Sequence, residues 1–310
     1  MTGTEFFQGQ GFGNQLFCYI STRCIAADLG YEFATVAQEF FGAPRWNNKG
    51  VYFMDLFLGA DVKRSDFEHA YREKQLRYFN NSCRHDRKIG CDVSFYDADV
   101  LACKDGTLIT GNLQAEMYFS HHKEEIKQWL QIKPEYDSYE FHDPDVCVIN
   151  FRGGEYRGLR ELYLGRSYWR NGMRNMKRIN PAMRFMIITD DIAAASSMLP
   201  GIECRHFDLA KDYAAIKNAK YLLLSNSSFA FFPAWTSDTA EFIIAPKYWA
   251  RHNVSKGHWS TSQNLYRNWH YQDRDGRLYD YEACVEEFTG FIERHPEIYG
   301  NKVDRLISCL

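Results

Sequence analysis

No stretch of this chain approaches the roughly 20 consecutive apolar residues of a membrane-spanning helix. Its start, "MTGTEFFQGQG", has neither a basic region nor a long apolar run and is expected to be neither a secretory signal nor an anchor. A basic excess is missing too: net charge is -3 over 310 residues, so no field draws in nucleic acid. None of the nine cysteines, at 18, 24, 83, 91, 103, 147, 204, 284 and 309, forms a CxxC pair. Cys18, Cys24, Cys147 and Cys204 stand in apolar contexts and read as small buried hydrophobes. An odd count without metal spacing suits a reducing compartment, so the expected location is cytoplasmic. Three Asp-x-Asp pairs occur, Asp97 with Asp99, Asp143 with Asp145 and Asp273 with Asp275. None follows a buried strand, where metal-dependent sugar transferases carry theirs, so all three read as loop or turn residues. His121-His122 opens a helix with no Cys or carboxylate at ligand spacing and reads as surface. No metal is expected.

What is present is ordinary soluble-protein composition, 45% hydrophobic and 25% charged, at a length comfortable for two domains. Aromatic residues reach 16%, which serves core packing or, less commonly, a carbohydrate face. Near the start, "QGQGFGNQLF" sets Gly9, Gly11 and Gly13 at alternate positions and runs into a helix-spaced apolar series, Leu16, Phe17, Ile20, Cys24 and Ile25, ending at Gly30. The order there reads as loop, helix, then a strand over 31–36. Residues 38–106 look irregular, with helix around Phe67–Arg77. A strand over 106–111 and a helix over 120–132 close the first half. The polar stretch 133–145 reads as a linker. Beyond it, strands over 146–151, 184–189, 221–226 and 241–246 alternate with helices over 167–179, 190–199, 211–219 and 227–237. Continuous apolar strands between helices mean a parallel sheet covered on both faces. A hairpin within 269–283 and a helix over 282–294 follow. The predicted division is 1–140, 141–265 and a C-terminal hairpin and helix over 266–310.

In an open parallel sheet, ligands collect beyond the carboxyl ends of the strands. Three such ends carry polar groups: Arg152 to Tyr156 after "VCVINF", Asp190-Asp191 after "RFMIIT", and Ser227-Ser228 after "YLLLSN". An arginine fork, carboxylates and a helix N-terminus together suit an anionic nucleotide. Singly, each has a plain reading: a cap pair for Asp190-Asp191, a cap for Ser227-Ser228, a surface ion pair for Arg152.

The same segments resemble the alpha-1,2-fucosyltransferase family. "GQGFGNQLF" is similar to its G-G-L-G-N-Q-x-F start, and "ITGNLQAEMYF" to its D-G-Y-x-Q-S-x-x-Y-F segment. "INFRGGEY" stands where the family has H-x-R-R-G-D-Y. "IITDD", "LLSNSSFAFFPAW" and "IIAPKYW" follow in family order. The resemblance implies an α/β protein of GT-B type, with two Rossmann-like domains facing a cleft. It implies inverting, metal-independent transfer of fucose from GDP-fucose to a hydroxyl of a glycan acceptor, with no cofactor. Carried over by position, Arg152 grips the pyrophosphate and Ser227 and Ser228 contact phosphate. Asp212 reads the guanine, and Asn14 of the glycine loop approaches the donor. Gly11, Gly13, Asn150, Asp190, Asp191, Asn226 and Phe229 complete the expected donor site. Glu155 and Glu161 are the candidate bases, and sequence does not choose between them. The chain departs from the family where His becomes Asn150, the second Arg becomes Gly153, Asp becomes Glu155, and Phe231, Phe232 and Pro233 replace Trp-Trp-Gly. Those changes leave open another nucleotide sugar, or a sugar-nucleotide- or glycan-binding relative without activity.

Overall fold

The computed structural model describes residues 1–42, 51–78, 91–94, 96–255, 257–259 and 265–296. They fall into two compact units, one within Met1–Gln75 and Ser94–Pro134, the other within Leu76–Val93 and Glu135–Ser308. Each is an α/β unit on a largely or wholly parallel sheet, the fold class expected. Among the described residues, no helix is long and apolar enough to cross a membrane.

The first unit opens not in a loop but in a strand, β1 (Thr2–Glu5), followed by α1 (Phe12–Leu29), β2 (Phe33–Val36), β3 (Ala60–Val62) and β4 (His69–Arg72). After the small two-stranded sheet of β5 (Gln75–Tyr78) and β6 (Cys91–Ser94) come β7 (Thr107–Thr110) and α2 (Lys123–Trp129). The main sheet runs β3-β2-β1-β7-β4, every pair parallel. Gly3 lets β1 sit close to its neighbours, since a Cβ there would lie 2.5 Å from the Ala34 carbonyl oxygen. The helix expected around Phe67–Arg77 is instead β4 and part of β5. Helix-forming Glu, Lys and Gln fill that segment, but His69–Arg72 pairs with Thr107–Thr110, and pairing overrides propensity. Helix α1 is buried nearly all round, from Gln15 to Ala26, and ends at Gly30 in the left-handed conformation (φ 70°), the stop its sequence predicts. The buried Gln15 is satisfied by the Phe40 carbonyl and the Gly42 amide, both at 2.7 Å.

The second unit contains β8 (Val146–Phe151), α3 (Arg166–Ile179), β9 (Arg184–Thr189), α4 (Ile192–Met198), β10 (Glu203–Arg205), α5 (Leu209–Lys217), β11 (Tyr221–Leu224), α6 (Ser228–Trp235), β12 (Phe242–Pro246), β13 (His270–Gln272), β14 (Leu278–Tyr279) and α7 (Tyr281–Arg294). Its sheet order is β10-β9-β8-β11-β12-β13-β14, parallel except for the last pair. The hairpin thus extends this sheet. Read from the first central strand, the order is the doubly wound 3-2-1-4-5-6. Cys147, Ile149 and Phe151 of β8 face a core with Trp169, Met176, Ile187 and Leu223. Phe231, Phe232, Trp235, Tyr266 and Trp269 pack on one another, all buried, so this aromatic abundance serves the core. The cysteines at 18, 24 and 147 are buried as expected and Cys204 is partly so; those at 83 and 309 lie outside the described residues.

His252 ties stability to pH. It is 2% exposed, its Nδ1 donates to the Lys247 carbonyl at 3.0 Å, and burial pushes its pKa down from 6.5 to about 4. Between those values the unfolded chain binds the proton and the folded one does not, so stability falls as pH drops from about 6.5 toward 4. At 1.36 kcal/mol per unit the full loss is about 3 kcal/mol. Urea unfolding across that window should show the decline, and His252→Gln should flatten it; an unchanged slope would mean the acid sensitivity lies elsewhere.

Candidate functional site

The switch point of the second sheet lies between β8 and β11, where connections leave in opposite directions and open a crevice at the carboxyl edge. Asn150 ends the inner face of β8. It is 5% exposed, and its Oδ1 accepts from the Ser225 hydroxyl at 2.8 Å, locking the two strand ends together. The chain then turns through Arg152, Gly153 and a 3-10 turn over Gly154–Gly158.

Arg152 is fully engaged in this state. Its guanidinium meets Asp190 Oδ2 at 2.7 Å and Glu155 Oε1 at 3.1 Å and lies over the Tyr156 ring at 5.4 Å. Asp190 also accepts the Gly153 amide at 2.8 Å. Asp191 caps α4 through the Ala194 amide at 2.9 Å and receives the Gly154 amide and Arg157. The cap reading therefore holds for Asp191, whereas Asp190 organises the arginine. Gly153 has a structural reason of its own: a Cβ there would sit 2.5 Å from the Asp191 Cβ. Gly154 adopts φ 43°, where a side chain is strained and would also approach Asp190.

Across the crevice, Ser227 occupies the N-cap position of α6 but makes no capping bond. By contrast α4, α5 and α7 are each capped by an aspartate, Asp191, Asp208 and Asp280. The cap reading thus fails for Ser227, and the first turn at Ser228 and Phe229 keeps the partial positive charge of a helix start. Asn226 is 3% exposed; its Nδ2 donates to the Leu162 carbonyl at 3.1 Å, while its Oδ1 is buried without a partner. Tyr156 reaches the Asn226 carbonyl at 3.5 Å and joins the two sides.

Asp212 lies in the first turn of α5, 7% exposed, with one oxygen accepting from His206 Nδ1 at 2.9 Å and the other from the Phe207 amide at 3.1 Å. The hydrogen bond to Asp212 raises the His206 pKa above 6.5, so the imidazole holds a proton more readily than usual. Glu155 is half exposed beside Arg152. Glu161 follows the 3-10 turn, its carbonyl held by the Asn253 amide at 3.4 Å.

The first unit has its own switch point, between β1 and β7, and the glycine loop leaves from β1 there. Gly11 is the N-cap of α1 with φ −63°, no side-chain cap and nothing within 4 Å of where a Cβ would stand. That unit's packing therefore does not demand glycine at 11. Gly13 is buried in the first turn, and the exposed Asn14 accepts from Gln114 at 3.3 Å.

The structure thus gathers Asn150, Arg152, Glu155, Asp190, Asp191, Asn226, Ser227 and Ser228 at one switch point, and Gly11, Gly13 and Asn14 at the other. Sequence reasoning gave no role to Tyr156, Arg157, Ser225 or His206. It also missed a buried network in the first unit: Glu73 accepts the Asn112 and Leu113 amides and the Tyr118 hydroxyl, while Asp97 accepts Tyr71 at 2.6 Å. Only the strand ends carried a signal; the partners of Glu73 lie 39 to 45 residues away, and Tyr71 and Asp97 stand in a segment read as irregular. The Asp-x-Asp pairs are turn residues as expected, with Asp97 capping a 3-10 helix and Asp273 closing the β13–β14 turn. The reading of His121-His122 as lacking a carboxylate is wrong, because Asp28 lies 2.9 Å from both rings.

No family model matches this chain, and no curated protein sequence does. Among solved structures it is similar to POFUT1 in complex with GDP-fucose, at 11% identity and TM-score 0.47, covering 79% of this chain and 97% of that one. It is also similar to NodZ alpha-1,6-fucosyltransferase co-crystallized with GDP, at 12% identity and TM-score 0.44, covering 90% and 97%. A third likeness is to the E. coli heptosyltransferase WaaC with ADP, at 11% identity and TM-score 0.38, covering 96% and 98%.

The fit of Gly153 against Asp191 is testable. Gly153→Ala places a carbon 2.5 Å from the Asp191 Cβ, so stability should fall by about 1–3 kcal/mol. Chemical denaturation measures it, and an unchanged midpoint would show that the turn has room to spare.

Proposed function

We propose that this protein is a glycosyltransferase of GT-B type that moves fucose from GDP-fucose to a hydroxyl of a glycan acceptor, forming an alpha-1,2 linkage with inversion and without a metal. One observation carries the reading: Arg152 and the uncapped start of α6 flank the switch point of the second sheet, the place and chemistry a pyrophosphate needs. The family-like segments "INFRGGEY" and "LLSNSSFAFFPAW" are the ones that supply these groups.

In the proposed reaction an acceptor oxygen attacks the anomeric carbon while the bond from that carbon to the β-phosphate oxygen breaks. The electron pair leaves with GDP, and the charge growing there meets the guanidinium and the helix start. A phosphate competes with the two carboxylates for the Arg152 donors. Glu155, at 54% exposure against 26% for Asp190, is the partner that yields. Glu155, on the exposed side of Arg152 at the strand end, is the carboxylate placed to take the hydroxyl proton, which favours it over Glu161 beyond the 3-10 turn. Asp212 and the His206 it holds form the polar pair assigned to the guanine edge.

GDP and GDP-fucose should stabilise the chain by roughly 2.7 kcal/mol at a hundredfold excess over Kd, with or without EDTA. Arg152→Ala should weaken GDP binding and cut turnover by about two to three decades. Glu155→Gln should abolish transfer while leaving GDP affinity within a few fold. Equal protection by UDP or ADP would overturn the donor assignment, and tight GDP binding without transfer to any glycan would favour the binding-protein reading.

A further inference from the structure

The last turn of α1 and the start of α2 bring together three groups with no part in the proposed transfer. His121 Nε2 lies 3.1 and 2.9 Å from the two carboxylate oxygens of Asp28, and His122 Nε2 lies 2.9 Å from the nearer one. One atom from each residue falls within 4.8 Å of the others. The two rings stand 4.4 Å apart, centre to centre. We propose that Asp28, His121 and His122 form a binding site for a divalent transition metal of the zinc type, which staples the C-terminal end of α1 to the start of α2.

The donor chemistry is two imidazole nitrogens and one carboxylate oxygen, the set that zinc and its neighbours accept. Tetrahedral zinc with bonds of about 2.0–2.2 Å places its ligands roughly 3.3 Å apart. The imidazole-to-carboxylate separations of 2.9–3.1 Å therefore need to open by only a few tenths of an ångström, and the two imidazole nitrogens lie within 4.8 Å of each other. His121 is half exposed and Asp28 28% exposed, so a fourth position is open to water.

Two further features support the site. Glu125 Oε1 lies 3.8 Å from His122 Nδ1, on the far side of the ring from Asp28. At that distance the contact is electrostatic rather than a hydrogen bond, and a carboxylate on that side favours the tautomer with Nδ1 protonated, which leaves the Nε2 lone pair for a metal. The ring is also braced, with Trp129 stacked at 6.4 Å and the Arg23 guanidinium 3.7 Å over that indole. Second, Asp28 sits where a carboxylate is least welcome. The last turn of a helix carries partial negative charge, and α1 has no basic residue in its own last turn. A bound dication neutralises both the carboxylate and the helix end. The glycine loop lies at the opposite end of α1, 17 residues or about 25 Å away, so the metal takes no part in chemistry at that loop.

The test uses the full chain stripped with a chelator and titrated with Zn2+ by calorimetry, and with Co2+ by visible absorption. Wild type should bind one equivalent with the d–d bands of a four-coordinate nitrogen and oxygen site, and Zn2+ should raise its Tm. His121→Ala, an exposed position that should not disturb folding, should abolish both effects, as should Asp28→Asn. Glu125→Gln keeps all three ligands and should leave one equivalent bound, weakened by no more than a few fold. Equal zinc affinity in wild type and His121→Ala would overturn the proposal. A thiolate-to-cobalt charge-transfer band, which would place the metal on cysteine, would overturn it too.

Discussion

Strand β8 is buried at every one of its six positions and pairs in parallel with a neighbour on each side. Everything at the candidate site depends on that burial. A central parallel strand has no free edge, so its chain leaves the sheet only at the carboxyl end, beside the ends of β9 and β11. Those ends are therefore forced together: Arg152 and the glycines from β8, Asp190 and Asp191 from β9, Asn226 to Ser228 from β11. The hydrogen bond from Ser225 to Asn150 fixes two of them in register. The Asn150 side chain thus serves the sheet directly, through that bond between strand ends.

The electrostatics of this edge follow from the same crowding. Arg152 and Arg157 stand among Asp190, Asp191 and Glu155. In the free protein the cations are already spoken for, and the carboxylates outnumber them. A phosphate gains little from such an arrangement unless one carboxylate moves off or takes a proton. Asp190 and Asp191 are held by backbone amides and by the α4 cap, and they stay. Glu155 is the more exposed carboxylate beside the arginine, at 54% against 26% for Asp190. The geometry thus separates the less exposed carboxylates that shape the turn from a half-exposed one at its rim. The glycines at 153 and 154 let the aspartate pair approach the backbone, and a larger side chain has no room where Gly153 packs on Asp191.

Much of the second unit was legible because its strands are buried on both faces. Unbroken runs such as Val146–Phe151 and Phe242–Pro246 admit one reading, and helices started by Asp191 or Asp280 announce their caps. What escaped was short and on the edge. β3 and β10 are three residues each and mostly exposed, and β4 is rich in helix formers, so nothing in their pattern outweighs propensity. β1 was hidden by its threonines and by Gly3. The site was legible wherever a strand end met an unusual polar residue. It was silent where side chains meet from positions distant in sequence. Asp28 lies 93 residues from His121, and no spacing rule connects the end of one helix to the start of another.

The two sheets end alike and differ in charge. In the first unit β1 leads to Gly11 and a bare helix start; in the second, β11 leads to Ser227 and another. Neither helix start is capped by a side chain. A cap costs nothing sterically at position 11, where a Cβ meets open space, so bare amides there are not dictated by packing. Around α6 the neighbours are an arginine and its carboxylates, groups that respond to an anion. Around α1 they are Asn14 and Gln114, neutral amides whose donors and acceptors match hydroxyls. Helix starts of the same kind are therefore tuned to different ligand chemistry by what surrounds them.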